Sequence, residues 1–385
     1  MIFTLNSEQE AIQKMTREFT EKEIVPFAQE LDENEEFPWE ILRKLHEVGL
    51  ANLAVPEEYG GPGIDSLSYS LIIEQLARGC AGVVVTSSAN GNSLALFPLL
   101  LGGTKEQKER FLPPICEENK LVTFSLTEPN AGSDIGGITS TARKEGNEYV
   151  ITGAKCFITN ASHAEYHTVF ANTTDENGAK KLSVFMVEPD TPGITIGKKE
   201  KKMGIRCSNT AEIFFEDVRV PQENLIGKEG DGKKLVMMTL DMARPSVGAI
   251  SLGIAQAAFE AALEYSKGRV QFGQPICANQ GIQFMLADMA TQIEAARLLV
   301  YQASCLKDKF LHERQPFTEK ASYAKLFASD VAMKVTTDAV QIFGGYGYIK
   351  DFPVEKYMRD AKIMQIFEGS NQIQRVVIAS KLLGS

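Results

Sequence analysis

The feature that most restricts how this chain can fold is a double change of hydrophobic period. Up to about residue 119 apolar side chains recur at helical spacing, at Leu121 the spacing drops to two, and from Gly230 it returns to helical and stays so. An element cannot satisfy both periods, so the chain divides into α, β and α blocks. We place them at 1–120, 121–228 and 229–385, an α+β multidomain arrangement. In the first block Ser7 with Glu10 forms a capping box, and Ile12, Met15, Phe19 and Ile24 follow on one face. Pro38-Trp39 opens a second helix ending at Gly49. Asp65 caps one long segment from Ser66 to about Ala89, and helices at 91–101 and 104–118 complete the block. The second block has strands near 121–127, 148–153, 156–160, 166–171, 182–187, 193–196 and 211–215, separated by turn clusters. These predict a small antiparallel β domain with a solvated hairpin at Lys198-Lys199-Glu200-Lys201-Lys202. The third block reads as long, closely packed helices over 231–266, 278–311, 317–343, 353–366 and 371–383.

Bulk properties narrow the function classes. The 385 residues carry a net charge of −10, which disfavours nucleic acid and anionic membrane as partners. The six cysteines include no CxxC pair and read as reduced, mostly buried thiols. His163 and His167 stand four apart in a strand-like run, a poor arrangement for a metal. The opening MIFTLNSEQEAI lacks the basic and apolar regions of a signal peptide, and there is no run of eighteen apolar residues. The cytoplasm is the expected location, without membrane insertion.

Several short stretches can carry chemistry, and each has a plain structural explanation beside it. Between Arg359 and Gln374 an apolar run stops at Phe367, Glu368 and Gly369-Ser370 follow, and a second helical run begins at Asn371. Ser370 suits an N-cap and Gly369 a sharp turn. A carboxylate held there beside Ile366 and Phe367 can be desolvated into a stronger base. An acidic residue near a helix start is also simply stabilising. Leu126-Thr127-Glu128-Pro129-Asn130-Ala131-Gly132-Ser133-Asp134 can bring N–H and O–H groups to a flat ring or a phosphate, or be a decorated turn. Phe157-Ile158-Thr159-Asn160 suits one face of a flavin, or a core strand. Arg269-Val270-Gln271-Phe272-Gly273 suits a pyrophosphate and a base, or a capped interhelical loop. Gln341-Ile342-Phe343-Gly344-Gly345-Tyr346-Gly347 permits backbone contact with a ligand, but it follows a helix and is no dinucleotide fingerprint. Asp241 and Arg244 form an i, i+3 pair on a long helix.

Taken jointly, in this order and spacing, these stretches make the sequence resemble the acyl-CoA dehydrogenase family along essentially its whole length. The resemblance implies an N-terminal α domain, a middle β-barrel, a C-terminal four-helix bundle, and a homotetramer built as a dimer of dimers. It implies FAD between the middle and C-terminal domains. Phe124, Leu126, Thr127 and Ser133 would touch the flavin end, with Phe157, Ile158 and Thr159 beside the ring. Arg269, Phe272, Gln280, Gln341, Gly344 and Gly345 would reach the adenine-diphosphate part of a neighbouring subunit's FAD, and Ser370 and Gln372 would again contact FAD. Ser133, Asp241, Arg244 and Gly369 would border the acyl-CoA.

By the same resemblance Glu368 is the catalytic base. It would take the α-proton as the β-hydride moves to flavin N5, giving a trans-2-enoyl-CoA. The thioester oxygen would be held by the Glu368 N–H and the ribityl hydroxyl. Relatives that carry the base just before the Arg-Pro pair have no counterpart here, since that residue is Ala243. Three departures bear on chain length: Phe157 in place of Trp, Phe367 in place of Tyr, and Ser125 in place of a smaller or thiol residue. The implied electron acceptor is an electron-transfer flavoprotein. Alternatives are an enoyl-CoA reductase running the same chemistry backwards in a flavoprotein complex, an oxygen-using oxidase, and a non-catalytic acyl-CoA-binding protein.

Overall fold

The structure, a computed structural model, describes residues 4–384; the outer limits of the expected blocks, at Met1 and Ser385, lie outside the described residues. Seven helices come first: α1 Ser7–Glu23, α2 Ala28–Asn34, α3 Trp39–Glu47, α4 Ser66–Gly79, α5 Ala81–Ser87, α6 Leu94–Gly102 and α7 Lys105–Glu117. Two local expectations shift. The cap of α1 is Asn6, whose Oδ1 accepts from the Gln9 N–H at 2.9 Å while Gln9 Oε1 accepts from the Asn6 N–H at 3.2 Å, one residue before the expected Ser7 box. The expected single segment from Ser66 breaks at Cys80, which is extended at φ −159°. There the chain needs small residues for close approach: a Cβ on Gly79 would lie 2.5 Å from Thr20 Cγ2 of α1. Residues 89–93 then form a π-helical turn before α6.

Seven strands follow: β1 Val122–Ser125, β2 Thr141–Glu145, β3 Glu148–Thr159, β4 Tyr166–Thr174, β5 Lys180–Val187, β6 Ile194–Lys199 and β7 Thr210–Pro221. They make one sheet in the order β1-β4-β2-β3-β7-β6, with β5 also on β4. Two expectations are corrected here. The sheet is not purely antiparallel: β1 runs parallel to β4, Val122 opposite Tyr166, and β2 meets β4 in parallel at Thr141 and Asn172. The whole β2–β3 hairpin intervenes between β1 and β4, so the chain re-enters beside β1 in the same direction. Nor is the barrel closed. Among the described residues β6 pairs only with β7, and the sheet is a curled half-barrel.

The last block is α8 Gly232–Gly268, a two-stranded hairpin of β8 Val270–Gln271 and β9 Gln274–Pro275, then α9 Gln280–Glu313, α10 Thr318–Phe343, α11 Val354–Met364 and α12 Asn371–Leu383. The two helical blocks share one apolar core, which runs from Ile24 and Leu71–Leu76 through Val247–Ala262 to Met364. At the α4–α8 crossing Gly253 has no substitute, because a Cβ there would lie 2.3 Å from Glu74 O. Glu74 itself is buried, accepting from Arg297 Nη2 at 3.1 Å and Tyr301 Oη at 2.9 Å, which ties α4 to α9. Two stretches, Ala81–Gly102 and Gly232–Gly268, are apolar and long enough to cross a membrane, but 94% and 72% of their windows is buried inside the protein.

Candidate active site

Three backbone irregularities from three parts of the chain meet at one cleft of about 950 Å3. The first follows β1. Glu128 anchors the loop over residues 126–134: its carboxylate accepts from the N–H groups of Thr139 (2.7 Å) and Ser140 (3.1 Å), from both their hydroxyls, and from Lys155 Nζ at 2.7 Å. Lys155 also donates to Leu126 O at 3.1 Å. Burial would push the Glu128 carboxyl up, but Lys155, Ser140 and Thr139 outweigh it and hold it at about 2. Glu128 is therefore engaged in fixing the loop, which lines the cleft with Leu126, Thr127, Glu128, Pro129, Gly132 and Ser133.

The second irregularity is a bulge in β3. Lys155 pairs with Ile213 and Ile158 with Ala211, so β3 carries one extra residue across two of β7. Phe157 takes up the excess at φ +58° and turns its ring out of the sheet, where it is 66% exposed and lines the cleft. Ile158 packs in the sheet core, so it borders the cleft mainly through its backbone, with Thr159 beside it.

The third is the break between α11 and α12. Glu368 sits at φ +52° and Gly369 at φ +91°. Ser370 caps α12, its Oγ accepting from the Ile373 N–H at 3.4 Å. Behind the break, Gly369 O accepts from Gln374 Nε2 and from Lys325 Nζ, both at 2.9 Å. Both carboxylate oxygens of Glu368 are shielded from solvent, and the residue lines the cleft with Phe367, Gly369 and Ser370. Arg244 reaches the same cleft from α8. It is 1% exposed and ion-paired with Asp241, whose other oxygen accepts from Thr318. Burial pulls the Arg244 guanidinium down and pushes the Asp241 carboxyl up, and their mutual attraction opposes both shifts. Ala243, next to Arg244, is fully buried.

The cleft thus gathers Phe124, Leu126, Thr127, Ser133, Phe157, Ile158, Thr159, Arg244, Glu368, Gly369 and Ser370. It leaves out the second group. Arg269, Gly344 and Gly345 line a separate cavity of about 420 Å3, where the Arg269 guanidinium lies 5.3 Å from the centre of the Tyr346 ring. Phe272 is fully exposed, and Gln280, Gln341 and Gln372 lie on the surface. Sequence reasoning missed several residues at the cleft. Lys201, Lys202, Lys233, Arg359 and Lys362 give it a basic border in an acidic protein. In the expected solvated hairpin Lys198, Lys199 and Lys201 are exposed, and of its lysines Lys202 alone departs: its Nζ donates to Ser208 O, and burial lowers its pKa. Lys325 was also missed, although it falls on the stripe of small buried residues Ala321, Ala324, Ala328 and Ala332, a visible signal.

The donor set fits a flat heteroaromatic cofactor. An aromatic ring held out of its own sheet by a bulge lines a largely apolar cleft together with the hydroxyl-bearing Thr127, Ser133 and Thr159. The family follows from comparison with known proteins. The N-terminal, middle and C-terminal domains of acyl-CoA dehydrogenase match residues 6–119, 123–218 and 230–383. The chain belongs to the acyl-CoA dehydrogenase family. As a member it is a flavoprotein oxidoreductase with FAD as cofactor. It is 49% identical to a short-chain-specific acyl-CoA dehydrogenase of Megasphaera elsdenii over 387 aligned residues, covering 100% of both chains. The solved butyryl-CoA dehydrogenase of M. elsdenii superposes with a TM-score of 0.94 at 48% identity, covering 100% of both chains. A structure from work on the electron transferring flavoprotein of Acidaminococcus fermentans and flavin-based electron bifurcation superposes with a TM-score of 0.95 at 49% identity, again covering 100% of both.

Proposed function

We propose that this enzyme removes the α-proton and β-hydride of a short acyl-CoA thioester, with Glu368 as the base. One observation carries the reading: a carboxylate shielded from water and its own positive-φ backbone border the same cleft as the Phe157 wall. The Glu368 N–H would hold the thioester oxygen, making the α-proton more acidic, while the carboxylate of the same residue takes that proton. Exclusion of water keeps the carboxylate basic. When bound, FAD supplies the hydride acceptor. Phe157, Thr127, Thr159, Ser133 and Ser370 would hold it in the cleft, with Gln372 touching it from the surface outside. Arg244 and Asp241 would shape the acyl end, and the basic border would meet phosphate groups.

The second cavity, with Arg269, Phe272, Gln280, Gln341, Gly344 and Gly345, would serve the FAD of a neighbouring subunit. This is consistent with a homotetramer. Phe272, Phe284, Leu382 and Leu383 are all more than half exposed here, as a surface that another copy covers would be. An electron-transfer flavoprotein is the proposed partner and the cytoplasm the proposed location. The similarity to a structure from an electron-bifurcation study favours a second direction, enoyl-CoA reduction, in which protonated Glu368 returns the α-proton.

The test is an anaerobic screen of the holoenzyme against saturated acyl-CoAs of increasing length, with the matching enoyl-CoAs added to the reduced enzyme. Bleaching of the flavin by short chains and reoxidation by their enoyl counterparts are expected. A flavin that no acyl-CoA bleaches would refute the proposal.

A further inference from the structure

Three buried cations from three helices act electrostatically with Glu368: Arg244 of α8, Lys307 of α9 and Lys325 of α10. Lys307 lies between rings, its Nζ 4.7 Å from the centre of Tyr69 and 4.8 Å from that of Phe97. Arg244 is committed to Asp241 and Ser322. Lys325 is the one that holds the turn itself. It is 0% exposed, and Nζ donates at 2.9 Å both to Gly369 O and to Asn371 Oδ1. Asn371 is in turn fixed by Nδ2 donating to Ser329 Oγ at 2.9 Å and to Asp330 Oδ1 at 2.7 Å.

A carbonyl and an amide oxygen can be satisfied by any neutral donor, so satisfying them does not require an ammonium in the core. Burying one is unfavourable unless an opposing charge stands near. Burial pushes Lys325 down to about 7; Glu368 and Asp330 oppose that shift and Arg244 adds to it.

We propose that Lys325 is a positioning residue for the reaction: its ammonium pins the Glu368–Gly369 turn through Gly369 O and adds a positive charge to the surroundings of the base. This rests on Glu368 being the base. The attraction is mutual, so removing the ammonium makes Glu368 easier to protonate and moves the acid limb of the rate profile to higher pH. A lysine that merely supported the turn would lower the rate by the same factor at every pH.

The experiment measures anaerobic flavin reduction by butyryl-CoA against pH in the holoenzyme, for Lys325→Met, Lys325→Gln and Lys325→Arg. FAD content and amide exchange over residues 366–372 are recorded without substrate. Lys325→Met should reduce the rate about 10- to 100-fold, the loss expected for one charge-assisted hydrogen bond. It should also raise the acid limb by about one pH unit and quicken exchange in the turn. Lys325→Gln, a donor without charge, should shift the limb as far while protecting the turn better. Lys325→Arg should leave the limb in place. If Lys325→Met does not fold, the Gln and Arg variants decide between the two roles. Limbs unmoved in the Gln variant, or a full rate in both neutral variants, would overturn the proposal. Glu368→Gln run in parallel separates the two readings. If it reduces flavin at the wild-type rate, the base assignment fails. If it is inactive and the limbs stay put, only the role of Lys325 fails.

Discussion

Gly369→Ala tests the turn that the site depends on. Gly369 sits at φ +91°, where a Cβ costs about 1–2 kcal/mol. The new methyl would also lie 2.7 Å from Gln374 Nε2, a contact the flexible amide can yield only by swinging away. That amide is buried, and it donates to Gly369 O at 2.9 Å and to Glu368 O at 3.4 Å. Disturbing it costs about 1 kcal/mol more. The total is about 2–3 kcal/mol, and the turn can take a different conformation at that cost without unfolding the rest of the chain. If the loss falls on the population of turns in the productive geometry, anaerobic flavin reduction should slow roughly 30- to 150-fold. FAD content should be retained, because the Phe157 wall and the 126–134 loop are untouched. The assay is stopped-flow bleaching beside urea unfolding of the same preparation. An alanine variant with wild-type bleaching and wild-type stability would refute the argument that the turn needs a left-handed residue.

Other expectations follow from the same geometry. Phe157→Ala should leave stability within about 0.5 kcal/mol, since the ring is 66% exposed. It should weaken FAD binding about 2- to 12-fold, measured by flavin fluorescence titration; unchanged affinity would remove Phe157 from the cofactor wall. Acid should destabilise the middle block in two stages. His167, buried against Thr123, is pushed down to about 4, so the stability it contributes is complete above roughly pH 6.5 and is lost as pH falls towards 4. Glu128, held at about 2, contributes stability that is complete above its unfolded value of roughly 4.3 and is lost as pH falls towards 2. Thermal melts against pH should show both stages, and Glu128→Gln should flatten the lower one; an unchanged acid stage in that variant would contradict the assignment.

The order of blocks was legible because hydrophobic period is a local property, and helix ends such as Thr104 and Ser370 were legible because caps are local too. The one-residue slip at Asn6 arose because Asn6 and Ser7 are both good caps, and only the Gln9 side chain decides between them. The parallel β1–β4 pairing was hidden, since strand direction depends on where a distant strand returns and not on the pattern of either strand. The same distinction runs through the site. Glu368 stood out by its place at a break, yet its own neighbours could not separate a base from a helix-start acid. What bears on it lies far away in sequence: Lys325 is 44 residues from Gly369, and no spacing rule links them. The bulge at Phe157 was likewise invisible: the sequence divides into strands at 148–153 and 156–160 where the structure has the single β3, and the extra residue exists only relative to β7.

Whether Glu368 takes the substrate's α-proton is decided by anaerobic titration of the Glu368→Gln holoenzyme with butyryl-CoA, beside the wild type. Gln keeps the size and the backbone N–H but cannot accept a proton as a carboxylate does. The variant should hold FAD, bind the ligand and leave the flavin unbleached while the wild type bleaches. Bleaching of the variant at the wild-type rate would contradict that role for Glu368.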